Sequence, residues 1–138
     1  MRSLGLDIGD RRIGVALSDP QGILASPLTI LIRSEEMADI EAIVEIGNRE
    51  QVERIIVGLP RSMDGSLGTQ AEKVMFFVDH LVKHVQVPVE FRDERLTTVS
   101  ARRLMREATT RKTRRKGRDD AIAAALILQG YLDEVRNN

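Results

Sequence analysis

The chain has no cysteine and no tryptophan, one tyrosine, three phenylalanines and two histidines. Without cysteine there are no disulfides and no thiolate metal sites, and a reducing compartment fits. Aromatic residues make up 3% of the chain. Phe76, Phe77, Phe91 and Tyr131 fall in patterns that bury several of them, which argues against a base-stacking platform. His80 and His84 stand four apart on one helical pattern, a spacing zinc can use, but no third ligand is in view. No apolar run approaches the roughly 20 residues of a membrane-spanning helix, and the opening residues read as a core strand rather than a signal peptide. The expectation is a cytoplasmic globular protein, with residues 1–138 forming one domain.

Net charge is also lacking, with 21 basic and 21 acidic residues, but the balance hides an asymmetry. Between Arg102 and Arg118 there are nine basic residues and one acid, Glu107. The remainder of the chain carries 12 basic and 20 acidic residues. Positive charge gathered in one stretch of an otherwise acidic protein suggests a polyanion partner. A solvated loop with no partner is the plain alternative. Thr113 and Gly117 interrupt the densest part, so Arg111, Lys112, Arg114, Arg115, Lys116 and Arg118 read as a loop rather than a rigid basic helix.

Asp7 stands out because of the small residues around it. In Leu4-Gly5-Leu6-Asp7-Ile8-Gly9 the apolar side chains fall on one face, and Gly5, Asp7 and Gly9 on the other. A second alternating run follows, with Ile13, Val15 and Leu17 opposite Gly14, Ala16 and Ser18. Asp10-Arg11 between them is short enough for a tight hairpin. The pair would present one oily face and one bare face from which a carboxylate projects, open to close approach by a metal ion or a phosphate backbone. A strand-end Asp that only caps its turn is the competing reading.

Strands and helices alternate thereafter. Ala25–Ile32 is a third strand, with Pro27 suiting an edge or a strand entry. Glu35–Glu50 carries Met37, Ile40, Ile43, Val44 and Gly47 at helical spacing. Arg54–Leu59 reads as a short buried parallel strand. The loop from Gly58 to Gly68 is rich in turn residues and matches neither a P-loop nor a dinucleotide fingerprint. Thr69 and Glu72 form a capping-box pattern before the stripe Ala71, Val74, Val78, Leu81, Val85. Val87–Arg92 is a fifth strand ending at Asp93-Glu94. A helix from about Thr97 to Ala108, the basic loop, and a buried helix from Asp119 to about Val135 complete the chain. The predicted fold is α/β, a mixed five-stranded sheet flanked by helices.

In that arrangement Asp7 is mid-sheet, Asp93-Glu94 lie at a strand's carboxyl end, and Asp119 and Asp120 open a helix crossing nearby. Several carboxylates without His or Cys suit hard cations such as Mg²⁺ or Mn²⁺. Two such ions about 3.5–4 Å apart can activate water and stabilise the leaving oxygen in phosphodiester hydrolysis. With a basic loop to hold nucleic acid, these features point to a metal-dependent nuclease.

Four motifs then occur in order: Gly5-Leu6-Asp7-Ile8-Gly9 with Arg12-Ile13-Gly14-Val15-Ala16; Val57-Gly58-Leu59-Pro60 with Asp64-Gly65-Ser66; Asp93-Glu94-Arg95-Leu96-Thr97-Thr98; and Asp120-Ala121-Ile122-Ala123-Ala124 with Ile127-Leu128-Gln129. In these the chain resembles the YqgF/RuvX family of pre-16S rRNA nuclease and Holliday-junction-resolvase-like proteins. The resemblance runs almost end to end. It implies a ribonuclease H-like fold, catalytic and metal-binding acids at Asp7, Glu94 and Asp120, and a role in maturing the 5′ end of 16S rRNA.

Some readings stay open. Neighbours on a strand point oppositely, so only one of Asp93 and Glu94 should face Asp7 unless the strand has ended. Arg95 could clamp a phosphate or pair with an acid. Asp64 and Asp19 read as turn formers. A nucleotide-binding protein of the actin and sugar-kinase type also starts with an Asp-x-Gly strand, but needs two lobes. A Holliday junction resolvase acting on DNA, or a non-cleaving ribosome assembly factor, would carry the same phosphate contacts.

Overall fold

The computed structural model describes residues 1–96 and 118–137. Its strands are β1 (Ser3–Ile8), β2 (Arg12–Ser18), β3 (Ala25–Ile32), β4 (Arg54–Leu59) and β5 (Val89–Asp93). Its helices are α1 (Glu36–Arg49), α2 (Thr69–Leu81) and α3 (Arg118–Arg136), with a single 3₁₀ turn at Glu94–Leu96. The sheet order is β3-β2-β1-β4-β5. The first three strands are antiparallel neighbours, and β4 and β5 run parallel to β1.

The period-two patterns build the two faces. Leu4, Leu6, Ile8, Ile13, Val15, Ile55 and Val57 pack in one buried cluster with Ile40 and Ile43 of α1 and Val74, Phe77, Val78 and Leu81 of α2. The opposite face buries Ala16 and Ile56 under Ala124, Ala125, Ile127 and Leu128 of α3. The bare face expected from the sequence is therefore largely covered by this helix. Its small residues permit close packing: a Cβ on Gly5 would meet Leu128 Cβ at 2.8 Å and the Ala124 carbonyl at 2.9 Å. Gln129 ties α3 to the sheet edge, accepting from Ala25 N–H at 2.8 Å and donating to the Ile23 carbonyl at 2.9 Å.

Local departures from the sequence reading have simple causes. Gly68, extended at φ −94°, is the N-cap of α2, and no side chain caps it. Thr69 is thereby the first helical residue, and the expected capping box does not form. β5 starts two residues later than expected because Pro88 has no N–H to give the ladder; its carbonyl instead accepts from Ile55 N–H at 2.9 Å. Pro27 lies on edge strand β3, where the register slips between Val15 and Ala16, as a bulge does. Asp19 is a turn former: its carboxylate accepts from Ile23 and Leu24 N–H at 2.7 and 2.8 Å. Those donors hold its pKa below the ordinary value. The helix expected over Thr97–Ala108 and the basic residues Arg111, Lys112, Arg114, Arg115 and Lys116 lie outside the described residues.

Candidate active site

One line of residues crosses the sheet at its working end. Ile30, Gly14 and Asp7 are register partners across β3, β2 and β1, and Gly58 and Arg92 are partners across β4 and β5. Leu6 pairs with Val57, so Asp7 and Gly58, one residue further along parallel strands, lie side by side. Directly paired residues share a face, and this is the face that α3 covers. Asp7 thus has a glycine on each side.

Each glycine admits a neighbour. Over Gly14, a Cβ would overlap the main chain of Asp120, whose carbonyl sits directly on that position. This close seating brings the N-terminal turn of α3 beside Asp7, where the helix dipole favours negative charge. Over Gly58, a Cβ would stand 2.6 Å from Glu94 Oε1 and 3.0 Å from Glu94 Cγ. Asp7, Glu94 and Asp120 are all half-buried. The fold brings the three acids singled out from the sequence to one corner. Among the described residues no three His, Cys, Asp or Glu side chains are gathered closely enough to hold a metal ion. Asp120 Oδ2 instead lies 3.9 Å from Arg12 Nη1. The donor set, three carboxylates and no nitrogen or sulfur, fits a hard divalent cation.

The choice between Asp93 and Glu94 follows from strand alternation. Asp93 pairs with Leu59, placing it on the α1/α2 face, away from Asp7. There it accepts from Arg95 Nη2 at 2.6 Å and Arg95 Nε at 3.0 Å, with Arg61 Nε 4.0 Å away. The bonds from Arg95, helped by the charge of Arg61, hold its pKa down at about 2. Glu94 opens the 3₁₀ turn and, two residues after Gly58's partner Arg92, returns to the Asp7 face, with its carboxylate over Gly58.

Of the two readings of Arg95, the ion pair is the one formed. The Arg95 fork is engaged with Asp93, and its Nη1 lies 3.5 and 3.4 Å from the carbonyls of Ser62 and Met63. It also borders the loop between β4 and α2. Asp64 is a turn former in that loop, accepting from Ser66 N–H at 2.9 Å and Ser66 Oγ at 2.7 Å. Gly65 has φ +88°, a conformation that favours glycine. His80 Nδ1 lies 2.9 Å from Glu36 Oε2, joining α2 to α1. Arg118 is the first residue of α3.

Several supporting residues escaped the sequence reading. Arg33 donates to the Gly9 carbonyl at 3.1 Å and to Asp39 Oδ2 at 3.3 Å, and lies 5.0 Å from the Phe77 ring centre. It braces the β1–β2 turn against α1. Arg92 Nη1 pairs with Glu134 Oε2 at 2.6 Å, and its guanidinium lies over Gly130, so that a Cβ there would meet Nη2 at 2.7 Å. Arg12 was visible only as part of a motif. A charged residue in phase with the small-residue face of β2 was the available signal for Arg12.

A mixed five-stranded sheet with helices on both faces and acids at one end defines a ribonuclease H-like fold. Solved structures bear this out. Thermus thermophilus RuvC in complex with a Holliday junction substrate aligns over 100% of this chain and 97% of that one, with TM-score 0.69 and 15% identity. Fowlpox virus resolvase in its junction complex aligns over 98% of this chain and 99% of that one, with TM-score 0.59 and 14% identity. Within that fold, the model of the family described as "RuvX: Holliday junction resolvase" matches residues 1–134, and the chain belongs to this family. Relatives named "Putative pre-16S rRNA nuclease" include one from Moorella thermoacetica, 51% identical over 100% of this chain and 99% of its own length. Another, from Halothermothrix orenii, is 50% identical over 96% of this chain and 95% of its own.

Proposed function

We propose that residues 1–138 form one nuclease domain that hydrolyses phosphodiester bonds in nucleic acid, working in the cytoplasm on the 5′ end of pre-16S rRNA. The observation that carries this reading is the line Gly14–Asp7–Gly58, which sets Asp120 and Glu94 on either side of Asp7. The relatives' names supply the RNA substrate.

In this reading Asp7, Glu94 and Asp120 hold Mg²⁺ or Mn²⁺. A bound divalent ion supplies an activated water and stabilises charge on the phosphate and leaving oxygen. The chain's own residues do the positioning. The sheet fixes Asp7, the 3₁₀ turn delivers Glu94, and the seating of α3 on Gly14 delivers Asp120. Arg111, Lys112, Arg114, Arg115, Lys116 and Arg118 hold the nucleic-acid backbone, and Lys116, four residues before Asp120 in the sequence, is the one we assign to the scissile phosphate. Arg95, held by Asp93 beside the loop after β4, is the further candidate for a phosphate contact. The test is cleavage by purified protein, with Mg²⁺ or Mn²⁺, of a 5′-extended 16S rRNA fragment beside a four-way DNA junction. The RNA should be cut at its 5′ extension. Cleavage of the junction alone would move the substrate to DNA, as the family description has it, and cleavage of neither would leave a binding factor.

A further inference from the structure

We infer that Arg12 exchanges partners during the reaction cycle, neutralising Asp120 in the metal-free protein and binding substrate phosphate once Asp120 turns to the metal. This inference rests on the nuclease reading above. Arg12 opens β2 two residues before Gly14, so period two puts its side chain on the same sheet face as Asp7. Its Nη1 lies 3.9 Å from Asp120 Oδ2, and each side chain is 37% exposed. That separation is too long for a hydrogen bond. The pair is an electrostatic association, readily given up when a stronger partner arrives.

Apart from Arg11, which is exposed in the β1–β2 turn, the neighbouring arginines at this end of the sheet are committed elsewhere. Arg33 is held by Gly9 and Asp39, Arg92 by Glu134, Arg95 by Asp93, and Arg61 donates to the Gly65 carbonyl at 3.0 Å. Arg12, by contrast, already faces one of the three acids. A dication and a guanidinium compete for the same carboxylate oxygen. When the ion takes Asp120, Arg12 loses its counter-charge beside a site that now attracts phosphate. Its planar fork matches two phosphate oxygens.

Opposite movements of two affinities follow, which a merely structural residue would not produce. Arg12→Gln removes a positive charge near the cation site, so Mn²⁺ should bind roughly fivefold tighter, the Coulomb effect of one charge several ångströms away in solvent-like surroundings. The same variant should bind the 5′-extended 16S rRNA fragment about tenfold more weakly, as expected when one charge-assisted hydrogen bond is removed. Arg12→Lys keeps the charge and loses the fork, so its Mn²⁺ affinity should match wild type while RNA binding still falls. The experiment is calorimetric titration of Mn²⁺ into wild type, Arg12→Gln, Arg12→Lys and Asp120→Asn, with RNA affinities measured in parallel and folding checked by thermal melting. Tighter Mn²⁺ with weaker RNA in Arg12→Gln supports the exchange. Unchanged or weaker Mn²⁺ binding in Arg12→Gln, while Asp120→Asn still abolishes it, overturns the inference and leaves the nuclease reading standing. Mn²⁺ binding that is indifferent to Asp120→Asn overturns both.

Discussion

At Asp93 and Glu94, one peptide step separates a carboxylate held in an ion pair from one laid over Gly58 beside Asp7. The Asp93 carboxylate is held at a pKa of about 2, chiefly by its bonds from Arg95. Since the folded value lies below the unfolded one of about 3.9, the pair stabilises the fold above about pH 4 and is lost as pH falls through 2. Arg95→Ala should return the Asp93 midpoint toward 3.9 and loosen the loop after β4, both readable by carboxyl and amide NMR; an unmoved midpoint would remove Arg95 as the cause. At Glu94 the expected effect is on rate. Glu94→Gln and Asp120→Asn should each cripple cleavage, whereas Asp119→Asn should be milder, because adjacent helix positions point roughly 100° apart. Single-turnover rates decide this. An essential Asp119 beside a dispensable Asp120 would shift the site by one residue.

Among the elements, α3 and its glycine seats decide whether the acids meet. A methyl at Gly14 would run into the main chain of Asp120, which has no flexible tip to yield. Gly14→Ala should therefore cost about 3 kcal/mol, at the upper end of overpacking penalties. At Gly58 the neighbours are the tips of Ile127 and Glu94. Gly58→Ala should cost only about 1 kcal/mol yet slow cleavage about a hundredfold by displacing Glu94. Chemical denaturation and single-turnover rates measure the two effects separately; equal stability losses would mean the two seats are equivalent. The strands carrying these glycines were legible in the sequence, because alternation in β1 and β2 needs only period two. The all-round apolar character of residues 122–128 gave the burial of α3. Its seating on Gly5 and Gly14 was not legible, since a glycine in a strand reads the same whether a ligand or a helix lies over it. Arg92 and Arg33 stayed hidden for a similar reason: their partners, Glu134 and Asp39, are set by how helices dock on the sheet rather than by any local pattern.

For the whole molecule, the relevant features are the unequal distribution of charge and the convergence of three acids at one sheet end. Six of the nine basic residues between Arg102 and Arg118 lie at or after Arg111, just ahead of Asp120 in the chain. Replacing Arg114, Arg115 and Lys116 by Ala should reduce the salt dependence of nucleic-acid binding by about one unit of slope for each phosphate no longer neutralised. Rates at saturating substrate should change much less, Lys116 being the residue that could add to them. Identical affinities and slopes for the two proteins would reduce the segment to a solvated surface. Whether this corner cuts nucleic acid through its carboxylates turns on Asp7, where two flanking glycines leave no side chain in the row to replace its charge. The deciding measurement is single-turnover cleavage of the 5′-extended 16S rRNA fragment by wild type and by Asp7→Asn, with and without EDTA, each protein verified as folded by its melting curve. Wild type should cleave only with a divalent ion, and Asp7→Asn should lose more than about a hundredfold, beyond what outer-shell changes cause. Undiminished cleavage by folded Asp7→Asn protein, or by wild type in EDTA, would refute the carboxylate mechanism.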